Sequence, residues 1–401
     1  MNLLLIGLNH TDAPVQVREQ LATPAGRLPA RLAALRAVQG VNEVAILSTC
    51  NRFEVYAAVE DLVAGQGALL AALEACDSQR YLRALSNQAA ARHLCRVAAG
   101  LDSLLLGEHE ILGQVKDAFE AALSAKTSGP VLSRVFRSAI VAGKRARTET
   151  AIGDGLHSLG EVALSLAQQH LSDLSDRTVL VIGVGRIGKV AAQSLVTGGL
   201  RWVLVANRTH ERAAALAAAL GGRAVRFDAL DEHLIRADLV IAATGAPHVV
   251  LHADALRRAM AARSGRPLIV VDLAVPRNVD PASRAVAGVD LYDMDDLSEI
   301  VKTQHHVAGP AIAAAEAIAE AEADGFIEWL RQRRVVPLIQ DLFIQSEAIC
   351  KAEVEQCLAR LPDTSEERRR AIAALGENLT RRLLFGATHA IKAAAIQMDG
   401  E

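Results

Sequence analysis

The sequence predicts a multidomain α/β protein in three parts, on three observations. Strand-like and helical stretches are mixed over residues 1–150, strands alternate with helices over 151–300, and strand signals stop in residues 301–401. Short strands among helices read as an α+β domain. Strand–helix alternation implies a parallel sheet built from right-handed crossovers, and an all-helical tail with an apolar stripe implies helix packing.

The bulk properties agree with this division. A chain of 401 residues is long for one core. With 51% apolar and 22% charged residues it reads as a packed soluble protein, and a net charge of −3 argues against a globally basic nucleic-acid binder. A local basic patch is still compatible with that charge, because phosphate affinity comes from the local field. The five cysteines (Cys50, Cys76, Cys95, Cys350, Cys357) form no CxxC pair and no zinc spacing, and their odd number fits a reducing cytoplasm. Cys350 and Cys357 lie seven apart in a helical pattern and read as packing residues. No run of 18 apolar residues marks a membrane span, and Leu3–Leu8 starts the fold without a basic leader. No ligand set for a metal or a flavin is visible.

In the first part, strands are expected at Leu3–Asn9, Val44–Ser48 and Phe53–Val59, with Pro14, Pro24 and Pro29 as punctuation and helices at Ala89–Ala99 and Ile111–Ser124. Cys50 then falls in the turn Ser48-Thr49-Cys50-Asn51-Arg52, flanked by small polar residues and two positions before a guanidinium. A thiol so presented, beside a positive charge, has a lowered pKa and reads as a nucleophile; a small buried hydrophobe is the other reading. Gly100–Lys116 joins two helices through a polar turn. Ser103, Glu108, Glu110 and Gln114 there could face a polar ligand or serve as helix caps. His93 sits on a helix of core residues, where a lone histidine is usually structural.

In the second part, apolar runs at Val179–Ile182, Trp202–Val205, Leu239–Ala242 and Leu268–Val271 alternate with helices such as Val190–Val196 and Glu211–Leu220. The first run continues as Gly183-Val184-Gly185-Arg186-Ile187-Gly188 and then a helix. Gly183 permits the tight turn, Gly185 lets the backbone approach a pyrophosphate, and Gly188 allows close helix–strand packing. The helix N-terminus supplies unpaired N–H groups and partial positive charge for phosphates. The second run ends at Asn207-Arg208-Thr209, without the carboxylate that would bind a ribose 2′-hydroxyl, so NADPH is preferred over NADH. A solvated arginine at a loop tip is the alternative. Ala243-Thr244-Gly245 should border the same crevice, or form a simple turn.

The third part carries Ile312, Ala315, Ile318, Ala319, Phe326, Trp329 and Leu330 at helical spacing, with Glu316, Glu320, Glu322 and Asp324 on the other side. Pro337 and Pro362 mark breaks, and Glu366–Ala395 is helical again. Such helices pack on a second subunit or on each other. Arg134, Arg137, Lys144, Arg145 and Arg147 form a basic cluster that reads as a phosphate contact or as a solvated helix face.

Taken together, Gly7–His10, Ser48–Tyr56, Gly100–Lys116, Ala142–Thr150, Asn207–Thr209, Val271–Arg277 and Leu291–Leu297 resemble the glutamyl-tRNA reductase family. The resemblance implies a catalytic domain (1–150), a Rossmann-type NADPH domain (151–300) and a helical dimerisation domain (301–401), joined along a long helix in a V-shaped homodimer. It implies NADPH-dependent reduction of glutamyl-tRNA(Glu) to glutamate-1-semialdehyde, the opening of the five-carbon route to tetrapyrroles. The resemblance leaves open whether a glutamate-1-semialdehyde aminomutase is a further partner. By the same carry-over Cys50 is the nucleophile and His93 important for activity. Thr49, Asn51 and Arg52, with Ser103, Glu108, His109, Glu110 and Gln114, line the substrate site, and Gly183–Gly188 form the cofactor loop.

Three features depart from the family. Glu110 stands where glutamine is usual, and His109 where a small residue is usual. Leu156-His157-Ser158 replaces a valine–serine stretch, and Phe385-Gly386-Ala387-Thr388 replaces a His-Pro-Pro-Thr-like segment. The added carboxylate would weaken substrate binding unless protonated or paired with Arg52. The implied chemistry is transfer of the activated glutamyl group from the tRNA ester to Cys50, then hydride reduction of the thioester. Arg52 and His93 would activate the thiol, and a closing motion would bring the cofactor to it. Two other readings are a non-catalytic reductase-like protein that binds tRNA or haem, supported by Glu110, His109 and the altered C-terminus, and a shikimate-type dehydrogenase, which the first part does not fit.

Overall fold

The computed structural model describes residues 1–73, 80–153, 159–171, 173–304, 309–361 and 365–397, in two compact units, Met1–Ala323 and Asp324–Glu401. The expectations for Cys76, for Leu156-His157-Ser158 and for Pro362 lie outside the described residues.

The chain opens with β1 (Asn2–Asn9), α1 (Val15–Leu21), α2 (Leu28–Arg36), β2 (Val41–Ser48), β3 (Arg52–Val59), α3 (Leu62–Ala72), β4 (Arg83–Ser86) and α4 (Asn87–Ala99). Helices α5 (Glu110–Ser124) and α6 (Pro130–Glu149) follow. The four strands form an antiparallel sheet in the order β2-β3-β1-β4. All eight residues of β3 are buried. The reason is cover on both faces. Val55, Ala57 and Val59 join the cluster of Val17, Leu21, Leu32 and Leu35 from α1 and α2. Tyr56, on the opposite face, meets Phe136 of α6 edge-to-face at 5.5 Å. Arg52 and Glu54 share the Tyr56 face, so two charges are buried there and must be paired.

Next come α7 (Leu159–His170), β5 (Thr178–Ile182), α8 (Arg186–Thr197), β6 (Trp202–Ala206), α9 (His210–Ala219), β7 (Arg223–Val225) and α10 (Leu230–Leu234). They continue as β8 (Leu239–Ala242), α11 (Ala253–Ala262), β9 (Leu268–Asp272), β10 (Val289–Tyr292) and α12 (Met294–Gln304). These strands make a six-stranded parallel sheet, β10-β9-β8-β5-β6-β7. This is the Rossmann order, and its switch point lies between β5 and β8, where ligands bind beyond the strand ends. Leu104 and Leu105, from the turn between α4 and α5, are buried in the same apolar cluster as Val179, Val181, Ile241 and Leu273, and Cys50 packs on its edge. Each buried leucine contributes about 1.5–3 kcal/mol, so the contact between the two sheets' layers is substantial.

Helix α13 (Gly309–Arg334) follows. Within the first unit its Glu316, Glu320 and Glu322 pair with Arg96 (2.6 Å), Arg92 (2.6 Å) and Arg145 (3.1 Å) of α4 and α6. The acidic side of this helix is therefore ion-paired to the protein. In the second unit α14 (Val336–Ala359) and α15 (Glu366–Gln397) pack together, with Pro337 in the first turn of α14. Ile344, Ile349, Leu375, Leu379, Leu383 and Phe385 are exposed on this pair. Among the described residues no helix is long and apolar enough to cross a membrane.

Candidate active site

The reactive turn is built locally. Ser48 pairs with Phe53 across β2 and β3, Thr49 N–H donates to the Arg52 carbonyl (2.9 Å), and Thr49 Oγ1 accepts from the N–H groups of Asn51 (3.1 Å) and Arg52 (3.2 Å). The threonine hydroxyl thus folds the turn that carries Cys50. Cys50 is partly exposed and lines a cavity of about 410 Å³ with Thr49, Glu110 and Gln114. The facing wall is Gly185, Arg186, Ile187, Thr244 and Leu273–Pro276. Asp272 holds that last segment through the N–H groups of Ala274 (3.1 Å), Asn278 (2.8 Å) and Val279 (2.8 Å). The expected closing motion is therefore not needed to join the two walls: thiol and glycine turn already border one space.

The electrostatics overturn one expectation. Burial pushes the Cys50 thiol up to about 12, and the Glu108 and Glu110 carboxylates add to this, with Arg18 opposing them. Arg52 is not the neighbouring cation. It is 2% exposed, and its guanidinium donates to Glu54 Oε1 (2.8 Å) and the Asp102 carbonyl (2.6 Å). Arg18 takes its place on the turn, donating to the Cys50 carbonyl (2.5 Å) and reaching Asn51 Oδ1 (3.4 Å). Nor does Arg52 pair with Glu110. Burial raises the pKa of Glu110, which favours its protonated form, and the opposing charge is Arg186.

His93 belongs to the buried network behind the turn. Its Nε2 lies 2.8 Å from Glu54 Oε1 and its Nδ1 3.5 Å from Asp102, while Tyr56 donates to Glu54 Oε2 (2.7 Å). Burial alone would raise the Glu54 pKa, yet His93 and Arg52 hold it at about 2. His93 lines a separate surface hollow with Arg92 and Arg96, so it stands with the partners of Arg52 rather than in the cavity of the thiol. Arg52 Nε and Ser103 Oγ are buried without a hydrogen-bond partner among the described residues. Burial raises the Glu108 carboxyl above its ordinary value, against the opposing pull of the Ser103 hydroxyl and the Arg52 charge. Asn51 is buried and His109 exposed, and neither they nor Arg52, Ser103 and Glu108 line the cavity.

On the nucleotide side, Gly183 has φ +105°, and a Cβ there would meet the Ala243 carbonyl oxygen at 2.4 Å. Gly185 caps α8 without a side chain, and the nearest atom to an added Cβ there is 3.7 Å away, so the space beside it is open. A second cavity of about 650 Å³ continues from Val184 and Gly185 past Asn207, Arg208 and Thr209 to Arg212, His248 and His252. Arg212 went unnoticed in the sequence because a lone arginine on a helix carries no signal. Arg186, the first residue of α8, reaches across the first cavity to Asp117 (2.9 Å), passing Gly113, where a Cβ would lie 2.8 Å from Nη1.

The family descriptions that match the chain are "Glutamyl-tRNAGlu reductase, N-terminal domain" (residues 6–150), "Shikimate / quinate 5-dehydrogenase" (165–300) and "Glutamyl-tRNAGlu reductase, dimerisation domain" (314–401). A glutamyl-tRNA reductase of Moorella thermoacetica is 44% identical over 100% of this chain and 92% of its own length. The chain belongs to the glutamyl-tRNA reductase family. A glutamyl-tRNA reductase of Pelotomaculum thermopropionicum is 40% identical over 100% of this chain and 91% of that protein. A solved glutamyl-tRNA reductase structure from Methanopyrus kandleri is 36% identical, with a TM-score of 0.49 over 99% of both chains. The middle part is a dehydrogenase-like NAD(P)-binding domain, and the shikimate-type reading of the whole chain falls with the other two matches. The basic cluster of α6 is smaller than the sequence suggested. Arg147 is spent on the carbonyls of Ala98, Gly143 and Glu108, and Arg145 on Glu149 and Glu322. Arg134, Arg137 and Lys144 are left as an exposed stripe.

Proposed function

We propose that this member of the glutamyl-tRNA reductase family reduces the glutamyl group of glutamyl-tRNA(Glu) with NADPH to glutamate-1-semialdehyde, through a thioester on Cys50. The observation that carries the reading is the shared cavity of Cys50 and Gly185–Ile187. A free carboxylate resists hydride, whereas a thioester carbonyl accepts it. Attack by the Cys50 sulfur on the tRNA ester forms the C–S bond and expels the tRNA 3′-hydroxyl. Collapse after reduction releases the aldehyde and regenerates the thiolate. Bound NADPH would supply the hydride. Thr49 keeps the turn open, and Glu110 and Gln114 border the entering acyl group. Arg52, Ser103 and Glu108 lie outside the lining of that cavity, as a largely buried polar set next to the turn, and His93 supports Arg52 through Glu54.

The residues fit the dinucleotide. The open cradle at Gly185 suits a pyrophosphate, and Arg208 with Arg212 suits a 2′-phosphate, with no carboxylate among the residues lining that cavity. Two charge-assisted contacts of about 1.5 kcal/mol each correspond to roughly 100-fold in affinity. Arg208→Ala/Arg212→Ala should therefore raise the KM for NADPH by about 100-fold and leave NADH within about threefold. Steady-state kinetics with both cofactors check this, and an unchanged NADPH/NADH ratio removes the pair from the selectivity.

The exposed apolar face of α14 and α15 suits a second copy of the chain, giving a homodimer. The stripe Arg134, Arg137 and Lys144 suits the tRNA backbone. Replacing all three by glutamine should flatten the log–log salt dependence of glutamyl-tRNA binding by roughly 2 units, since each phosphate contact contributes about 0.7–0.9. An identical slope would take α6 off the tRNA surface. The reading as a whole is tested by supplying purified protein with NADPH and glutamyl-tRNA and scoring semialdehyde. The non-catalytic alternative would give none.

A further inference from the structure

Helix α1 carries two adjacent charges of opposite sign, Arg18 buried and Glu19 half-buried, and each is met by the opposite charge from the nucleotide-sheet half, one from the start of α12 and one from the segment after β9. Arg18, 2% exposed, pairs with Asp295, whose second oxygen accepts the Val15 N–H (2.9 Å). Glu19 takes a two-pronged contact from Arg277, Nε at 3.0 Å and Nη2 at 2.8 Å, and also accepts the Arg277 N–H (3.3 Å). Arg277 ends the segment whose Leu273–Pro276 wall the cavity, and Asp295 opens α12. The other arm of the Arg18 fork holds the Cys50 carbonyl (2.5 Å), and its Nε holds the Ala13 carbonyl (3.2 Å). One guanidinium therefore ties the reactive turn to the nucleotide sheet.

We infer that α1 is a charge-crossed clasp, in which Arg18–Asp295 and Glu19–Arg277 set the position of the cofactor wall relative to the Cys50 sulfur, and that Arg18 is a positioning residue for the hydride step. The reversed polarity of neighbouring pairs admits only one register, because a slip of one residue brings like charges together. Arg18 spreads its donors over three nitrogens of a rigid plane and so reaches a carboxylate and two carbonyls; a lysine keeps the charge but carries all its donors on one nitrogen, which cannot span the same acceptors in fixed geometry. Misplacement by about 1 Å can cost 100-fold in a reaction step, so these ties matter more to rate than a partly exposed ion pair matters to stability.

The inference rests on the thioester reading and is tested by separating its two half-reactions. Acylation of Cys50 is followed with glutamyl-tRNA and no NADPH, and reduction is followed by single-turnover NADPH oxidation on the acylated protein. Asp295→Asn and Glu19→Arg should each slow reduction by about 10- to 100-fold and change acylation by less than about threefold. Glu19→Arg/Arg277→Glu should return reduction to within about fivefold of the parent. Arg18→Lys should slow reduction while keeping the pH profile of Cys50 alkylation, and Arg18→Met should shift that profile to higher pH. Unimpaired reduction in Asp295→Asn, or no recovery in the exchanged pair, overturns the clasp. So does an equal loss of both half-reactions, which would leave α1 a purely structural element. Failure of the parent protein to acylate Cys50 at all would instead sink the thioester reading.

Discussion

Cys50→Ser is expected to lower semialdehyde formation by about 10⁴-fold or more and to leave no acyl group on the protein, because an unactivated hydroxyl is a far poorer nucleophile than a thiol. The size of the effect follows from the site. Among the described residues no histidine lines the cavity of the sulfur, and burial favours the protonated form of Glu110, which leaves a serine there without a strong general base. NADPH affinity should stay within about twofold, as serine removes no charge and the cofactor wall belongs to the other sheet. Full turnover by this variant would remove covalent catalysis from the mechanism. Burial, Glu108 and Glu110 hold the resting thiol up at about 12, against Arg18 and a backbone hydrogen bond. A protonated Glu110 relieves part of that, which is how the family departure at this position becomes compatible with the chemistry.

The second large effect is the converse. In Gly183→Ala a Cβ meets the Ala243 carbonyl oxygen at 2.4 Å from a backbone with φ +105°. Ordinary contact requires a shift of roughly 1 Å in the phosphate-binding turn, at a position L residues rarely adopt, so NADPH affinity and reduction should fall by about 100-fold or more. Acylation of Cys50 should persist, since the reactive turn is folded by Thr49 and held by Arg18. Isothermal titration with NADPH and acyl trapping separate the two. Normal cofactor affinity in this variant would contradict the assignment of the glycine loop.

What the sequence revealed was local. The thiol turn and the glycine loop are each written in fewer than a dozen consecutive residues, with strands on the expected sides, so both could be read from the residues. What it hid was placed by tertiary contact. Arg18 reaches Cys50 across 32 residues and Asp295 across 277. Arg52 is adjacent in sequence but turns to the Tyr56 face of β3, so the nearest cation along the chain was the wrong one at the sulfur. The short strands β4, β7 and β10 carry no clear signal in the sequence, because edge strands of three or four residues show little apolar pattern. Asp117 and Arg212 gave no signal because each becomes a cavity residue only when two elements meet.

The central claim is that an acyl group rests on Cys50 between the tRNA ester and the aldehyde. Acid-quenched protein, incubated with glutamyl-tRNA and no NADPH, should show a thiol-labile glutamyl adduct on the peptide carrying Cys50, which disappears when NADPH is added. Semialdehyde formed at full rate with that peptide never carrying the adduct would contradict it.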